Sequence, residues 1–149
     1  MGVEEEQIAG FIDKFAPAMQ VRIRETRRRL QARFPNAVQL VYDNYNFFVT
    51  GFGPTERPSD AILSLACDRH GVSLVFLQHG PELPDPSRIL RGTGKAVRNV
   101  GLPEPEALDR PEIAALIDAQ LALARIPMDA STARRVIVKS VSAKQRPRR

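Results

Sequence analysis

The sequence contains one cysteine, two histidines and no tryptophan, which leaves few side chains for catalytic or metal-binding chemistry. A single cysteine, Cys67, excludes an internal disulfide framework, so we expect a reducing cytoplasm as the compartment. A structural zinc site takes four Cys or His ligands, and Cys67, His70 and His79 are one short of that number. His70 follows Cys67 closely, but no third group is evident that would orient it as a base. We therefore predict no catalytic residue, no metal site and no cofactor, and a binding protein rather than an enzyme.

The sequence also lacks a long hydrophobic run. No apolar stretch approaches the roughly 18–20 residues that span a bilayer. The first six residues, MGVEEE, are acidic, whereas a signal peptide begins with basic residues and continues with apolar ones. We therefore expect a cytoplasmic protein with no membrane partner. A length of 149 residues fits one domain, 1–149, with one hydrophobic core.

The net charge of +5 comes from two short segments. Residues 134–149 contain seven basic residues and no acidic one. Six arginines lie between Arg22 and Arg33, with Glu25 as the one acid among them. The rest of the chain contains nine of the 22 basic residues and 16 of the 17 acidic ones. Such an asymmetric distribution can attract polyanions, and it can equally serve to keep a protein in solution.

Apolar residues at helical spacing predict three helices, over 4–15, 17–34 and 110–124. Proline at position 17 suits the first residue of a helix, and the proline at position 35 ends the same helix because it disfavours helical geometry in the preceding residue. Asp109 is followed by an early proline and by Glu112. This pattern predicts a capping box, in which the Asp109 carboxylate caps the third helix and Glu112 is coupled to it.

Short segments rich in branched and aromatic residues, bounded by turn residues, predict strands between and after the helices. The predicted strands are 37–42, 47–52, 61–67, 72–78, 95–102 and 135–141. Together the elements predict an α+β fold, with a mainly antiparallel sheet of about five to six strands packed against N-terminal and C-terminal helices. Residues 143–149 contain only one apolar side chain, so we expect a frayed basic tail that contributes little to stability.

Eight short segments follow one another along the chain: 40–46 (LVYDNYN), 51–54 (GFGP), 57–62 (RPSDAI), 77–78 (LQ), 83–86 (LPDP), 90–95 (LRGTGK), 108–112 (LDRPE) and 139–147 (KSVSAKQRP). In order and spacing they resemble the YdhG-like family of small bacterial proteins, known as domain of unknown function 1801. The resemblance implies an antiparallel sheet backed by helices at both ends of the chain. It assigns no general activity, although one branch of the family is linked to intracellular iron handling with a frataxin-like architecture.

A ligand site is predicted where aromatic and polar residues are densest. The candidate residues are Tyr42, Asn44, Tyr45 and Asn46, with Ser59, Asp60 and Thr93 as hydrogen-bonding groups and Lys95 and Arg98 beside a glycine-rich loop. The loop sequence RGTGK is not a P-loop, because Ile89 and Ala96 stand where that motif needs Gly and Ser or Thr. The same residues also suit ordinary turns and a tight start of a strand. The ligand is an unknown small molecule or protein.

Two alternative functions follow from the charged segments. Nucleic acid is a candidate partner for two arginine-rich segments. The candidate contacts are Arg22, Arg29 and Arg33 on the second helix and Lys144, Arg146, Arg148 and Arg149 in the tail. Neither segment is interleaved with aromatics, and no nucleic-acid-binding motif is present. The iron-chaperone alternative would use the acidic run at 4–6, but the neighbouring arginines would repel a cation. The sequence predicts no oligomeric state.

Overall fold

The computed structural model describes residues 2–149. Its described part contains three α-helices, α1 (Val3–Ile12), α2 (Pro17–Arg33) and α3 (Pro111–Leu123). It also contains six strands, β1 (Val38–Asp43), β2 (Phe48–Gly53), β3 (Leu63–Asp68), β4 (Gly71–Phe76), β5 (Arg98–Gly101) and β6 (Arg135–Val141). Each predicted element is present, with bounds that differ by at most three residues. The α+β class is thereby confirmed.

The strands form one sheet in the order β5-β4-β3-β2-β1-β6. Every neighbouring pair is antiparallel except β1 and β6, which run parallel. The parallel pair arises because the chain leaves β5 at one edge, forms α3, and returns to add β6 at the opposite edge. A mainly antiparallel sheet of six strands is therefore confirmed, with one parallel pair that the sequence did not indicate.

The sheet has a buried face and a half-exposed face. On the buried face, side chains such as Val41, Phe52 and Leu65 join apolar residues of the three helices in one cluster. On the opposite face, Ala66 and Ser73 are only partly buried, whereas Val38 and Leu40 on β1 are buried. The opposite face is therefore partly open along β4 and closed at β1.

A buried pair of glutamines attaches α3 to the sheet. Gln120 is the one polar residue on the apolar face of α3, and its amide donates to the carbonyl oxygen of Gln78 at 2.8 Å. The Gln78 amide in turn donates to the carbonyl oxygen of Ala61 at 2.9 Å. Gln120 is polar because it supplies a hydrogen-bonding partner to the buried backbone at the end of β4.

The predicted capping box is absent. The residue before α3 is Arg110, and no side chain caps the helix. Asp109 belongs instead to a short 3₁₀ helix, Pro105–Asp109, and its carboxylate accepts a hydrogen bond from Arg29 at 2.9 Å. The capping prediction was wrong because the 3₁₀ helix moves the N-cap position by one residue and leaves the Asp109 side chain facing α2.

We expect Asp109→Ala to lower the free energy of unfolding by only about 0.2–1 kcal/mol, because the Arg29–Asp109 pair is largely exposed. In chemical denaturation, Asp109→Ala and Arg29→Ala should be non-additive, because the two side chains contact each other. The control pair, Asp109→Ala with Glu112→Ala, should be additive. Coupling between Asp109 and Glu112 would restore the capping box and contradict the structure.

No helix within residues 2–149 is both long enough and apolar enough to cross a membrane.

Candidate functional site

The predicted ligand residues are divided between the two ends of the sheet. The β1–β2 corner, 44–47, and the β3–β4 hairpin, 69–70, lie side by side at one end, which we call the hairpin end. Ser59 and Asp60 follow β2 and lie at the opposite end. Five residue steps along β2 separate the two ends by about 17 Å. Tyr42, Asn44, Tyr45 and Asn46 therefore do not share a cavity with Ser59 and Asp60.

At the end opposite the hairpins, the predicted ligand residues are occupied by contacts within the fold. Asp60 is buried and accepts a hydrogen bond from the Thr55 hydroxyl at 2.7 Å. The carbonyl oxygen of Ser59 accepts a hydrogen bond from the Arg125 guanidinium. These contacts fix the connection between β2 and β3.

The glycine-rich loop lies at the same end of the sheet. Arg98 Nη1 donates to the carbonyl oxygens of Gly94 at 2.6 Å and Val97 at 2.8 Å, which holds the loop closed. Thr93 is exposed within the loop. Lys95 lines a small pocket of about 150 Å³ beside the end of β4. The loop and the hairpin end therefore do not form one site.

The arginines of α2 already have partners in the fold. Arg29 pairs with Asp109 and also with Glu25, and Arg33 pairs with Asp118. Arg22 donates to the carbonyl oxygen of Leu102. The other arginines of the helix, Arg24, Arg27 and Arg28, pair with Asp13, Glu5 and Glu25 respectively. A polyanion at this helix would have to compete with these contacts, so the basic helix offers little excess positive charge.

The Arg27 contact is the most buried of these pairs. The two terminal nitrogens of Arg27, Nη1 and Nη2, each donate to the Glu5 carboxylate at 3.0 Å. Nη2 also donates to the Gln39 side-chain oxygen on β1 at 3.2 Å. These hydrogen bonds lower the pKa of Glu5, against the opposing effect of its partial burial. The acidic run at the start of α1 thus serves to attach α1 to α2, and Glu5 is committed to an arginine.

The C-terminal tail is docked against the hairpin end, contrary to the expectation that it would be frayed. Only 3% of the Arg148 side chain is exposed, and its guanidinium donates to the carbonyl oxygens of Asn44 at 2.6 Å and Asn46 at 3.0 Å. Arg149 donates to backbone carbonyls at the end of α1. Arg148 and Arg149 therefore hold the tail in place, whereas Lys144 and Arg146 are exposed.

A buried carboxylate anchors the tail. Asp43, at the end of β1, has no exposed side-chain surface and accepts hydrogen bonds from Lys14 Nζ at 2.6 Å and Arg148 Nη2 at 3.1 Å. Gln145 adds a bond from its amide to the Asp43 carbonyl oxygen at 2.9 Å. One side chain thus joins the end of α1, the sheet and the tail. The frayed-tail prediction was wrong because this buried carboxylate is compensated by a cation from the tail.

Docking of the tail completes a pocket, which we call the hairpin cleft. The Arg146 amide donates to the Tyr45 carbonyl oxygen at 2.9 Å, and its guanidinium lies 5.6 Å from the centre of the Tyr45 ring. The cleft has a volume of about 440 Å³. Its lining residues are Asn46, Phe47, Asp68, Arg69, His70, Arg146 and Pro147.

A second pocket, the strand cleft, continues from the first along the half-exposed face of β3, β4 and β5. It has a volume of about 640 Å³ and shares Phe47, Asp68 and His70 with the hairpin cleft. Arg22 lines it beside Gly71, and Arg91 lines it beside Gly101. The two clefts are therefore adjacent and form one depression lined in its middle by Phe47, Asp68 and His70.

The chemistry of this depression is cationic and aromatic. Four arginines line it, Arg22, Arg69, Arg91 and Arg146, against one carboxylate, Asp68. Asp68 Oδ1 accepts the backbone amides of His70 at 2.9 Å and Gly71 at 3.1 Å, so this carboxylate serves the hairpin turn. The Phe47 ring is 41% exposed. Exposed phenylalanine beside guanidinium groups favours flat, negatively charged ligands.

The remaining reactive side chains do not form a catalytic arrangement. Burial raises the pKa of the Cys67 thiol, so the thiol is protonated at neutral pH and is a poor nucleophile. Burial also raises the pKa of Tyr42. Across residues 2–149, no group of three or more His, Cys, Asp and Glu side chains is placed to hold a metal ion.

Comparison of the chain with protein-family models, with curated proteins and with solved structures finds no match. The fold and the two clefts define the class: an α+β domain with a cationic, aromatic depression at the hairpin end of its sheet.

Proposed function

We propose that the protein is a non-enzymatic binding module for ligands that combine an aromatic ring system with a phosphate group. The observation that carries this proposal is the exposed Phe47 ring beside Arg69 and Arg146 in one pocket. The volume of about 440 Å³ lies within the range of roughly 300–1,000 Å³ that small-ligand sites occupy.

The arginines supply the phosphate-binding half of the site. A guanidinium group presents planar, paired donors that match phosphate oxygens, and a site with two such groups favours a dianion. Arg146 is held in advance by the Tyr45 ring and by its backbone hydrogen bond to Tyr45. In the described part of the chain neither Arg69 nor Arg146 forms an ion pair with a carboxylate. Their charge is therefore available to a ligand.

Phe47 supplies the aromatic half of the site. It lies at the corner between β1 and β2, where the chain turns and the residue stays 41% exposed. Exposing an aromatic ring to water costs free energy, and stacking of a planar ligand recovers it. A nucleoside phosphate carries both required groups, a flat aromatic base and a phosphate.

Titration calorimetry with adenosine 5′-monophosphate tests the proposal, with adenosine and inorganic phosphate as the matched partial ligands. We expect the nucleotide to bind at least about tenfold more tightly than either part, because both halves of the site contribute. Arg69→Ala should weaken nucleotide binding, whereas Arg57→Ala, an exposed arginine outside the clefts, should not. Absence of nucleotide binding, or equal weakening by both variants, would contradict the proposal.

We also propose that the chain is a YdhG-like protein of the cytoplasm, with a protein partner as the alternative to a small molecule. Iron handling has little support from the acidic run at 4–6, because Glu5 is paired with Arg27. Nucleic acid remains the stronger alternative, but its contacts are expected at the clefts, to which α2 contributes Arg22.

A further inference from the structure

The strand cleft extends the proposed site in one direction. Each cleft alone is large enough for a small ligand, and the two share the wall formed by Phe47, Asp68 and His70. A mononucleotide placed in the hairpin cleft would leave the strand cleft, about 640 Å³, unfilled. The continuous shape therefore fits a ligand of at least two similar units.

The floor of the strand cleft is a row of small residues. Ser73 on β4 lies opposite Ala66 on β3 and opposite Gly101 on β5, so three adjacent strands present small side chains at the same level. A methyl group added at Gly101 would lie 3.3 Å from Arg91 Nη2. The guanidinium of Arg91 thus covers Gly101 and reaches the Ser73 hydroxyl, so a positive charge lies over the row.

Two arginines follow the strand cleft along β4. Arg22 Nη2 lies next to Gly71, at 3.7 Å from the position that a methyl group there would occupy. Arg91 Nη2 lies 3.5 Å from the Ser73 hydroxyl. Gly71 and Ser73 are two residues apart, so the two guanidinium groups mark successive positions about 6.6 Å apart along one strand. With Arg69 and Arg146 in the hairpin cleft, the cations form a track that suits a chain of phosphates better than a single one.

We infer that the clefts bind single-stranded nucleic acid, with one base stacked on Phe47 in the hairpin cleft and the next in the strand cleft. This inference rests on the proposed function and specifies its ligand. Stacking on aromatic rings and contacts between arginine and phosphate are sequence-tolerant, so little base preference is expected. A duplex keeps its bases stacked inside, and therefore cannot use Phe47.

The closing experiment compares four probes by fluorescence anisotropy or competition. They are adenosine 5′-monophosphate, the 5′-phosphorylated dinucleotide of adenosine, a mixed-sequence single strand, and the corresponding duplex. We expect the dinucleotide to bind about tenfold more tightly than the mononucleotide, because it adds one stacked base and one phosphate. The single strand should bind more tightly than the duplex. For the single strand, with three phosphates engaged, the logarithm of the binding constant should fall with the logarithm of the salt concentration with a slope of about −2.

Variants place the binding in the clefts. Phe47→Ala should weaken single-strand binding about tenfold, whereas Ile126→Ala, which removes an exposed apolar side chain at the opposite end of the sheet, should leave it unchanged. Gly101→Ala should displace Arg91 and weaken the dinucleotide but not the mononucleotide. Circular dichroism and thermal melting of each variant verify that it is folded.

The outcomes separate the two proposals. Equal affinity for mononucleotide and dinucleotide would overturn the inference and leave the proposed function standing. Equal affinity for single strand and duplex would overturn the stacking on Phe47, and with it the inference. Absence of binding to all four probes at low salt would overturn both proposals.

Discussion

Replacing Asp43 with asparagine should lower the free energy of unfolding by about 3–5 kcal/mol, the range measured when one partner of a buried ion pair is removed. Asp43 has no exposed side-chain surface, and Arg148 is only 3% exposed, so the variant leaves a buried guanidinium without its counter-charge. Lys14 contributes less to this cost, because its side chain is 41% exposed and water can solvate the ammonium group. Urea denaturation at neutral pH measures the loss.

A matched control and a double-mutant cycle test the cause. Asp118→Asn removes a carboxylate that pairs with Arg33 at the surface, and should cost at most about 1 kcal/mol. Arg148→Met should also destabilise the protein, but Asp43→Asn combined with Arg148→Met should cost less than the two single changes together. A loss below about 1 kcal/mol for Asp43→Asn, or strict additivity, would show that the buried pair adds nothing to the fold.

The helices and strands could be predicted from the sequence because their signals are local. Apolar periodicity located α2 to within one residue of its ends, and short branched segments located the strands. Pairing between distant segments carries no such signal. Nothing in 135–141 indicates that this strand pairs with β1 in parallel orientation, because an edge strand acquires its partner from the path of the chain. The capping box at Asp109 failed for a related reason: a local pattern was overridden by a contact with Arg29.

The predicted ligand residues do not lie together. Asn46 lines the hairpin cleft, whereas Ser59, Asp60 and the glycine-rich loop lie at the other end of the sheet. In an antiparallel sheet of sequential strands every second turn lies at the same end, so the proximity of 44–47 and 69–70 could have been deduced. The role of Arg146 could not, because it depends on how the tail docks, and a run such as RPRR normally indicates a solvated segment.

Deletion of residues 143–149 should lower the free energy of unfolding by about 3 kcal/mol, which contradicts the expectation of a dispensable tail. The deletion removes the Arg148 contacts with Asp43, Asn44 and Asn46. It leaves Lys14 as the one cation beside the buried carboxylate. We place the cost at the lower end of the range for breaking a buried pair because Lys14 still neutralises part of the Asp43 charge. Urea denaturation of the full-length and truncated proteins, under the same conditions, gives the difference.

The same deletion separates the two roles of the tail. Arg146 and Pro147 line the hairpin cleft, so the truncated protein should lose adenosine 5′-monophosphate binding even at temperatures where it remains folded. Arg146→Ala should weaken the nucleotide several-fold with almost no change in stability, because the Arg146 side chain is exposed and stacks on Tyr45 alone. Arg148→Met, in contrast, should lower the stability of the fold. Any loss of nucleotide binding by this variant should follow from the released tail. If the truncated protein unfolds at the same urea concentration as the full-length chain, the docked tail contributes nothing to stability. If its nucleotide binding is unchanged, the ligand lies outside the hairpin cleft.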